Sequence, residues 1–326
     1  MFSVTNNKGF IPQSEQFEDR EMVGEDIKAY KIIHKDDFAY NPARINVGSI
    51  AKYNGENPCM ISSLYVCFKT TPKIDNDWMM QLLKTPKMNF YYNINGEGGV
   101  RVYLFYPNFA RIKTSYPTLQ EQQKISSFLS LLDERIATQI KIIEKLESLI
   151  KGLCQKLTQQ GNTNTALNEC LECYSSTLQE SSVLEAGGYP VYGATGICGY
   201  TDTPEVNGDS ILIIKDGASV GVTYYASGKY SAIGTLNRLI AKGGYSLRYL
   251  YYCLKVFNFA PYRTGLAIPH IYFRDYGKAK IWCPPIEEQN RIANALEKVE
   301  QKIATEKSLL EQLYSQKRFL LQAMFI

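Results

Sequence analysis

The sequence predicts a mixed α/β protein: two similar globular domains joined by two long helices, which form an antiparallel coiled coil with pseudo-two-fold symmetry. Three observations predict this fold. The motif PTLQEQQKI at residues 117–125 recurs as PPIEEQNRI at 284–292, an offset of 167. Each copy opens a long stretch of apolar residues spaced by three and four. Each copy is also preceded by strand-like segments broken by glycine, asparagine and aspartate. The pattern therefore predicts two copies of one module.

The two long stretches have the spacing of a coiled coil rather than that of an ordinary surface helix. Pro117 and Pro284 suit a first helical turn, and the acidic residues after them stabilise the positive end of the helix dipole. The first stretch would be about 50 Å long at about 1.5 Å per residue. A helical hairpin inside one globular domain is the alternative. The apolar positions are Ile125, Leu129, Leu132, Ile136, Ile143, Leu146, Ile150, Leu153 and Leu157, then Ile292, Leu296, Val299, Ile303, Leu310, Leu313, Leu320 and Met324, with Gln139, Glu306 and Lys317 in polar positions.

Composition sets broad limits on function. The 326 residues suffice for two domains, and the net charge of +4 neither requires nor excludes nucleic acid. The eight cysteines form no disulfide framework, which predicts reduced thiols and a cytoplasmic protein. Cys170 and Cys173 form one CxxC, which fits two core or surface cysteines better than a zinc site because no second pair follows and only His34 and His270 are available. No apolar run is long enough to span a membrane.

The patterns divide the chain into five segments. They are a first globular domain at 1–116, a first long helix at 117–158, a linker at 159–166, a second globular domain at 167–283 and a second long helix at 284–326. In the first domain we expect strands within 30–53 and 60–70, a helix over 78–92 interrupted at Pro86, and a glycine loop at 95–99. In the second we expect a strand at 210–215 and a helix at 246–259.

The repeat extends upstream of the helices. At the offset of 167, Gly98 meets Gly265 and Phe109 meets Tyr276. Further upstream YKIIHKDD (30–37) resembles DSILIIKD (209–216) at an offset of 179, which places about a dozen extra residues in the first half. Two such modules with antiparallel helices can place one domain on each half of a two-fold DNA site. The helices would then fix the spacing between the half-sites.

These motifs resemble the specificity subunits of type I restriction-modification systems. The Pro-x-(Leu/Ile)-x-Glu-Gln helix openings resemble the conserved regions of that family, and YPVYGATGICGYTD (189–202) with ILIIKDGASVG (211–221) resembles a target recognition domain. The segments FSVTNNKGFIPQSE and DFAYNPARINVGSIA resemble a second recognition domain of another type. That first domain is shortened at its N-terminus relative to the second, in the part that corresponds to residues 167–192.

The resemblance implies a non-catalytic subunit that binds double-stranded DNA. Its expected partners are two modification subunits, which bring S-adenosylmethionine, and a restriction subunit in the full complex. No cofactor is expected on this chain itself. Base and phosphate contacts favour Arg, Lys, Asn, Gln, Ser and Tyr on loops, especially beside glycine. The candidate DNA-binding residues are Tyr40, Asn41, Arg44, Asn46, Arg101, Lys215, Ser219, Asn237, Arg238 and Arg263.

Two other classes of function have less support in the sequence. An adenine methyltransferase needs an (Asn/Asp)-Pro-Pro-aromatic motif, but Asn41-Pro42 is followed by Ala43. A nuclease needs clustered carboxylates for a metal, and Asp26-Ile27-Lys28 is too short a match to indicate one. The remaining alternative is a coiled-coil adaptor or decoy scaffold that binds proteins. DNA binding would weaken steeply with salt, whereas an apolar protein interface would not.

Overall fold

The structure is a computed structural model that describes residues 1–16, 29–98, 102–265 and 267–325. The chain forms two compact units. Unit 1 contains Met1–Gln139 and Leu309–Ile326, and unit 2 contains Ile140–Ser308. The described helices are α1 Gln13–Gln16, α2 Asn76–Leu83, α3 Pro86–Asn95, α4 Tyr106–Ala110, α5 Leu119–Thr158, α6 Leu167–Cys170, α7 Leu247–Lys255, α8 Phe273–Tyr276 and α9 Ile286–Met324. None of the described helices is long and apolar enough to cross a membrane.

Unit 1 contains two small sheets. One has the strand order β2-β1-β6-β3 and the other the order β5-β4-β7. The predicted strand at 60–70 is divided between them, because a turn at residues 63–64 separates β6 from β7. The strands are β1 Phe2–Thr5, β2 Gly9–Pro12, β3 Lys31–Ile33, β4 Phe38–Tyr40, β5 Ile50–Lys52, β6 Cys59–Ile61 and β7 Val66–Phe68.

Unit 2 repeats this topology and adds to it. Its sheets have the orders β11-β10-β15-β12 and β14-β13-β16-β9, and a separate ladder joins β8 to β17. The strands are β8 Thr165–Ala166, β9 Leu171–Ser175, β10 Tyr189–Gly193, β11 Gly196–Thr201, β12 Val206–Asn207, β13 Ser210–Ile214, β14 Thr223–Ala226, β15 Lys229–Ala232, β16 Leu236–Ala241 and β17 Lys280–Ile281.

Strand pairing corrects the predicted upstream alignment of the two modules. In each unit the first hairpin pairs in parallel with a later strand, β1 with β6 and β10 with β15. The counterpart of β13 is therefore β4, not the KII segment of β3, because β4 and β13 are the central strands of β5-β4-β7 and β14-β13-β16. Tyr40 faces Ile50 and Ile213 faces Thr223, so these hairpins align at an offset of 173 rather than 179.

The two long helices pack together and run antiparallel. Asp133 of α5 pairs with Lys317 of α9, and further along α5 Glu147 pairs with Lys307 at 2.6 Å. The polar positions Gln139 and Glu306 are buried, as are most of the predicted apolar positions. This confirms the predicted fold class, with two sheet-containing domains and a pair of long helices. Pro117 and Pro284 lie just before α5 and α9 rather than in their first turns.

The repeated Glu-Gln of the sequence motif has a structural role. Gln289, 2% exposed, accepts the backbone N–H of Ser246 at 2.9 Å and donates to Pro284 O at 2.8 Å. Gln122, fully buried, makes the matching bonds to Asp75 N at 2.8 Å and Pro117 O at 2.9 Å. Asp75 is the N-cap of α2, and Ser246 is the N-cap of α7. Each glutamine therefore joins the start of a long helix to the helix that packs behind its sheet.

Candidate nucleic-acid interface

In each unit, the central strand of the second sheet leads into an irregular hairpin loop. We call residues 41–49 and 215–222 the hairpin loops of units 1 and 2. Their backbones match closely, since Asn41 N donates to Ser49 O at 3.0 Å and Ile214 N donates to Val222 O at 2.9 Å. Each loop closes on a glycine with positive φ, Gly48 at 94° and Gly221 at 91°. This left-handed conformation favours glycine, so the two turns share a backbone requirement as well as a position.

A second loop docks against each hairpin loop. We call the described residues 96–98 and 102–104 of unit 1, and 263–265 and 267–271 of unit 2, the glycine loops. Glu97 bridges to Tyr103 in unit 1, and Thr264 bridges to His270 in unit 2. In both units one backbone bond joins the hairpin and glycine loops at the same position, Leu104 N to Pro42 O at 3.0 Å and Ile271 N to Lys215 O at 2.9 Å. Unit 2 has a second such bond, from Gly217 N to Pro269 O at 2.9 Å. Together they form what we call the loop pair of each unit.

The loop pair of unit 2 carries basic, hydroxyl and imidazole groups. His270 Nδ1 lies 2.7 Å from Asp216 Oδ1, which fixes the imidazole against the hairpin loop. Arg263 donates to Val220 O at 3.1 Å and so also braces that loop. Ser219 is exposed, and Lys215 is partly exposed. The predicted residues Lys215, Ser219 and Arg263 therefore belong to one loop pair.

The loop pair of unit 1 carries mainly amides. Asn41 Oδ1 accepts the backbone N–H of Ala43 at 3.0 Å, which holds the first turn of the loop. Asn46 donates to Asn93 Oδ1 at 3.1 Å, and Arg44 is exposed. Asn46 occupies the loop position of Ser219, because each lies four residues before the first paired residue of the returning strand. The candidate Arg101 lies outside the described residues.

Three predicted contact residues lie away from these loop pairs. Tyr40 is fully buried in the core of unit 1. Asn237 is also buried, and its Oδ1 accepts a hydrogen bond from Ser175 Oγ at 2.9 Å. Arg238 stacks over the ring of Tyr174 with its guanidinium carbon 4.7 Å from the centroid, on the face of β16 opposite to Asn237. Tyr40 lies in a strand of three residues and Asn237 and Arg238 lie in a strand of six. Strands this short show too little alternation of apolar and polar residues to reveal from sequence which side chains face the core.

Sequence reasoning missed an aromatic pair beside each glycine loop. Tyr103 stacks near Phe105, with centroids 6.2 Å apart, and His270 stacks near Tyr272 at 6.5 Å. Arg274 also lies over the Tyr272 ring at 4.9 Å. The two pairs are related by the offset of 167. The alignment of Gly98 with Gly265, continued a few residues further, would have identified them.

Of the two cysteines in the CxxC motif, Cys170 is buried and Cys173 is partly buried. A hydrogen bond with Cys283 and burial raise the pKa of the Cys170 thiol well above its ordinary value. Burial also raises the pKa of Cys173 to about 11. Across the described ranges, no three His, Cys, Asp or Glu side chains are grouped so that they could hold a metal ion.

The profile of the family described as "Type I restriction modification DNA specificity domain" matches residues 24–148 and again residues 172–315. These two matches cover most of the chain. The chain belongs to this family. The predicted resemblance is thereby confirmed, and both matches include the hairpin and glycine loops of their units.

Individual members of the specificity family show the same relationship. The chain is 27% identical over 110 residues to the type I restriction enzyme EcoprrI specificity subunit of Escherichia coli, which covers 34% of this chain and 27% of that protein. The alignments span less than a third of the length of the curated relatives that the chain matches. Membership of a specificity family agrees with the expectation of a non-catalytic subunit.

Solved structures of type I specificity subunits share the fold. The S subunit from M. genitalium matches with a TM-score of 0.61 and 18% identity over 90% of this chain and 84% of that one. The HsdS subunit from Thermoanaerobacter tengcongensis matches with a TM-score of 0.50 and 18% identity over 90% of this chain and 82% of that one.

Proposed function

We infer that this chain is the DNA specificity subunit of a type I restriction-modification complex and reads a bipartite DNA site, one half with each loop pair. One observation carries this inference. A matching loop pair follows the central strand in both units of a specificity-family protein, with equivalent closing and joining backbone bonds and a left-handed glycine at the same position. The recognition domains then correspond to residues 1–116 and 167–283.

The two loop pairs differ in the groups they offer to DNA. Unit 2 presents Lys215, Ser219 and Arg263, which suit phosphate oxygens and guanine acceptors. Unit 1 presents Asn41, Arg44 and Asn46, and amides pair most readily with adenine. Because equivalent backbone positions carry different side chains, the two half-sites have different sequences. The aromatic pairs beside the glycine loops supply flat apolar surface for sugar and base contacts.

The long helices set the distance between the half-sites. α5 has 40 residues and α9 has 39, so each is about 60 Å long at about 1.5 Å per residue. That length corresponds to about 17 base pairs at about 3.4 Å each. A fixed spacer of unread base pairs within this limit separates the two half-sites.

The chemistry belongs to the partners of this chain. Two modification subunits bind S-adenosylmethionine and dock on the long helices, and a restriction subunit completes the complex. This chain binds no cofactor and contributes sequence recognition. A role in such an assembly is supported by the similar fold of a protein whose solved structure concerns complex assembly and conformational transition of the type I R-M system.

The test is methylation mapping by single-molecule sequencing in cells that express this chain with its modification subunit. We expect a new bipartite motif with a fixed spacer that is absent without the chain. The double variant with Lys215→Ala and Arg263→Ala should relax or abolish the second half of that motif and leave the first half unchanged. If no motif appears although a stable complex with the modification subunit forms, the chain is a scaffold without DNA reading. If no complex forms, the adaptor function replaces this one.

A further inference from the structure

The imidazole of His270 is held from three sides in the loop pair of unit 2. Its Nδ1 lies 2.7 Å from Asp216 Oδ1 on the hairpin loop. The ring of Tyr272 lies nearly parallel to it, with an angle of 21° between the two planes. Gly265 leaves room for the Cδ2 edge, because a Cβ at that position would lie 3.1 Å from Cδ2. These contacts give the ring one orientation.

The backbone of His270 is fixed as well. Its N–H donates to Thr264 O at 2.7 Å, and its carbonyl accepts from Thr264 N at 2.9 Å. The two residues beside it in the chain each make a backbone hydrogen bond to the hairpin loop, at 2.9 Å in both cases. A side chain that is fixed before it binds a ligand loses little conformational freedom on binding. His270 is therefore preorganised for such a contact.

The second ring nitrogen, Nε2, is left to act as a hydrogen-bond acceptor. A carboxylate only accepts hydrogen bonds, so Asp216 requires the hydrogen of the ring on Nδ1. In the neutral imidazole Nε2 then carries a free lone pair. Nε2 makes no hydrogen bond to any residue in the described ranges, and the His270 side chain is 34% exposed. A donor on another molecule can therefore reach it.

The groups around His270 suit a nucleic-acid backbone. Lys215 and Arg263 belong to the same loop pair. Arg274 lies over the Tyr272 ring at 4.9 Å, and its side chain is 78% exposed. Cations of this kind contact phosphate oxygens, which fixes the position of a duplex without reading its sequence. An acceptor held among them is suited to read the edge of a base.

Unit 1 has neither member of the His270 and Asp216 pair. Tyr103 occupies the position of His270 at the offset of 167, and Ala43 occupies the position of Asp216 at the hairpin offset of 173. Tyrosine offers a hydroxyl group instead of a ring nitrogen, and alanine has no group that could orient it. The oriented ring acceptor therefore belongs to unit 2 and to the half-site that unit 2 reads.

Resting on the function proposed above, we propose that His270 reads one base of the second half-site. Nε2 accepts a hydrogen bond from the exocyclic amino group of an adenine or a cytosine in the major groove. Guanine and thymine present acceptors at that place, which repel Nε2. Asp216 makes no base contact in this arrangement. It is the positioning residue that keeps the hydrogen on Nδ1 and leaves Nε2 free.

The first test maps the methylation motif of the assembled complex in cells that carry His270→Asn. The asparagine amide can donate to Asp216 in place of Nδ1, so the loops stay joined, but it has no atom at the place of Nε2. We expect the base preference at one position of the second half-site to fall about three- to tenfold, the effect of one hydrogen bond. Asp216→Asn should affect the same position, because an amide can donate to Nδ1 and leave the ring hydrogen on Nε2. Tyr103→Phe, at the matched place in unit 1, should leave the second half-site unchanged.

The second test identifies the partner of Nε2 from the binding of the purified complex to duplexes that carry the mapped motif. Purine in place of adenine, or 2-pyrimidinone in place of cytosine, removes the amino group at the position found in cells. Binding by the complex with the unchanged chain should weaken about three- to tenfold, and binding by the His270→Asn complex should not weaken further. The same analogue at a motif position that His270→Asn leaves unchanged is the control, and it should weaken both complexes equally.

The outcomes separate a base contact from a structural brace. If every position of the second half-site relaxed in His270→Asn, the residue would only hold the loops together, and the proposal would be overturned. Equal weakening of both complexes by the analogue at the tested position would overturn it too. An unchanged motif in His270→Asn would overturn this proposal alone and leave the DNA-reading function of the chain intact. Absence of a motif with the unchanged chain would overturn the function proposed above, and this inference with it.

Discussion

The hairpin loops of the two units have the same backbone and different surface chemistry. Both have a left-handed glycine as their next-to-last residue, and both are closed by an equivalent backbone bond, Asn41 N to Ser49 O in unit 1 and Ile214 N to Val222 O in unit 2. At the equivalent position one carries Asn46 and the other Ser219. The loop of unit 1 is held by hydrogen bonds between side-chain amides, such as that from Asn46 to Asn93, and the loop of unit 2 is held by the contact of His270 with Asp216. The backbone is therefore the shared scaffold, and the side chains on it are free to set specificity.

The largest effect should follow from breaking the glutamine that both units share. Gln122→Leu leaves Asp75 N, Lys73 O and Pro117 O without their partner, and Gln289→Leu leaves Ser246 N and Pro284 O. Each unmade buried bond costs about 1–3 kcal/mol. We expect each variant to lower the free energy of unfolding by about 2–4 kcal/mol, with Gln122→Leu the more severe.

Hydrogen exchange should locate each effect in its own unit. Gln122→Leu should speed exchange in α2, and Gln289→Leu in α7. Gln123→Leu is the matched control, because Gln123 is exposed and its side chain makes no bond in the described structure. A loss of stability from Gln123→Leu as large as that from Gln122→Leu would contradict the assigned role of the buried amide.

A smaller effect should distinguish the two loop glycines. Alanine at a positive φ costs about 1–2 kcal/mol, so Gly48→Ala and Gly221→Ala share that strain. A Cβ at residue 221 would also lie 2.7 Å from the ring of buried Phe259, whereas one at residue 48 would meet the exposed side chain of Asn6, which can move. Urea unfolding should show Gly221→Ala to be about 1–3 kcal/mol worse than Gly48→Ala. If both variants lost the same free energy of unfolding, the Phe259 ring would have moved to make room for the added methyl group.

The sequence predicted the long helices well and the short strands poorly, for one physical reason. A spacing of three and four sustained over 40 residues admits few alternatives, so α5 and α9 were located to within two residues. A strand of three residues such as β3 carries almost no periodicity. KII of β3 and the SILII strand of β13 look alike, each with an aspartate behind it, although they lie in different sheets. Only strand pairing, which involves residues far apart in the sequence, shows that β4 and not β3 is the counterpart of β13.

The same limit applies to the candidate contact residues. Lys215, Ser219 and Arg263 lie on loops, as the glycine and charged residues around them indicate, and their contact with DNA stays a prediction. Tyr40 and Asn237 are buried, which the sequence alone does not reveal because the exposure of a strand residue depends on which face of the strand meets the core. His270 and Tyr272 were missed since the contact of His270 with Asp216 spans 54 residues of chain.

The smallest effects should separate the roles of the two hairpin loops on DNA, measured on the assembled complex at several salt concentrations. Lys215→Ala should weaken binding to every sequence by about 1 kcal/mol and lower the slope of log affinity against log salt by about 1, because one phosphate contact is lost. Asn46→Ala should leave that slope unchanged and relax base preference at one position of the first half-site by about 1–3 kcal/mol. Lys145→Ala, on an exposed face of α5, is the control for charge alone. Should Lys145→Ala lower the slope as much as Lys215→Ala, the hairpin loop of unit 2 would not contact the phosphates.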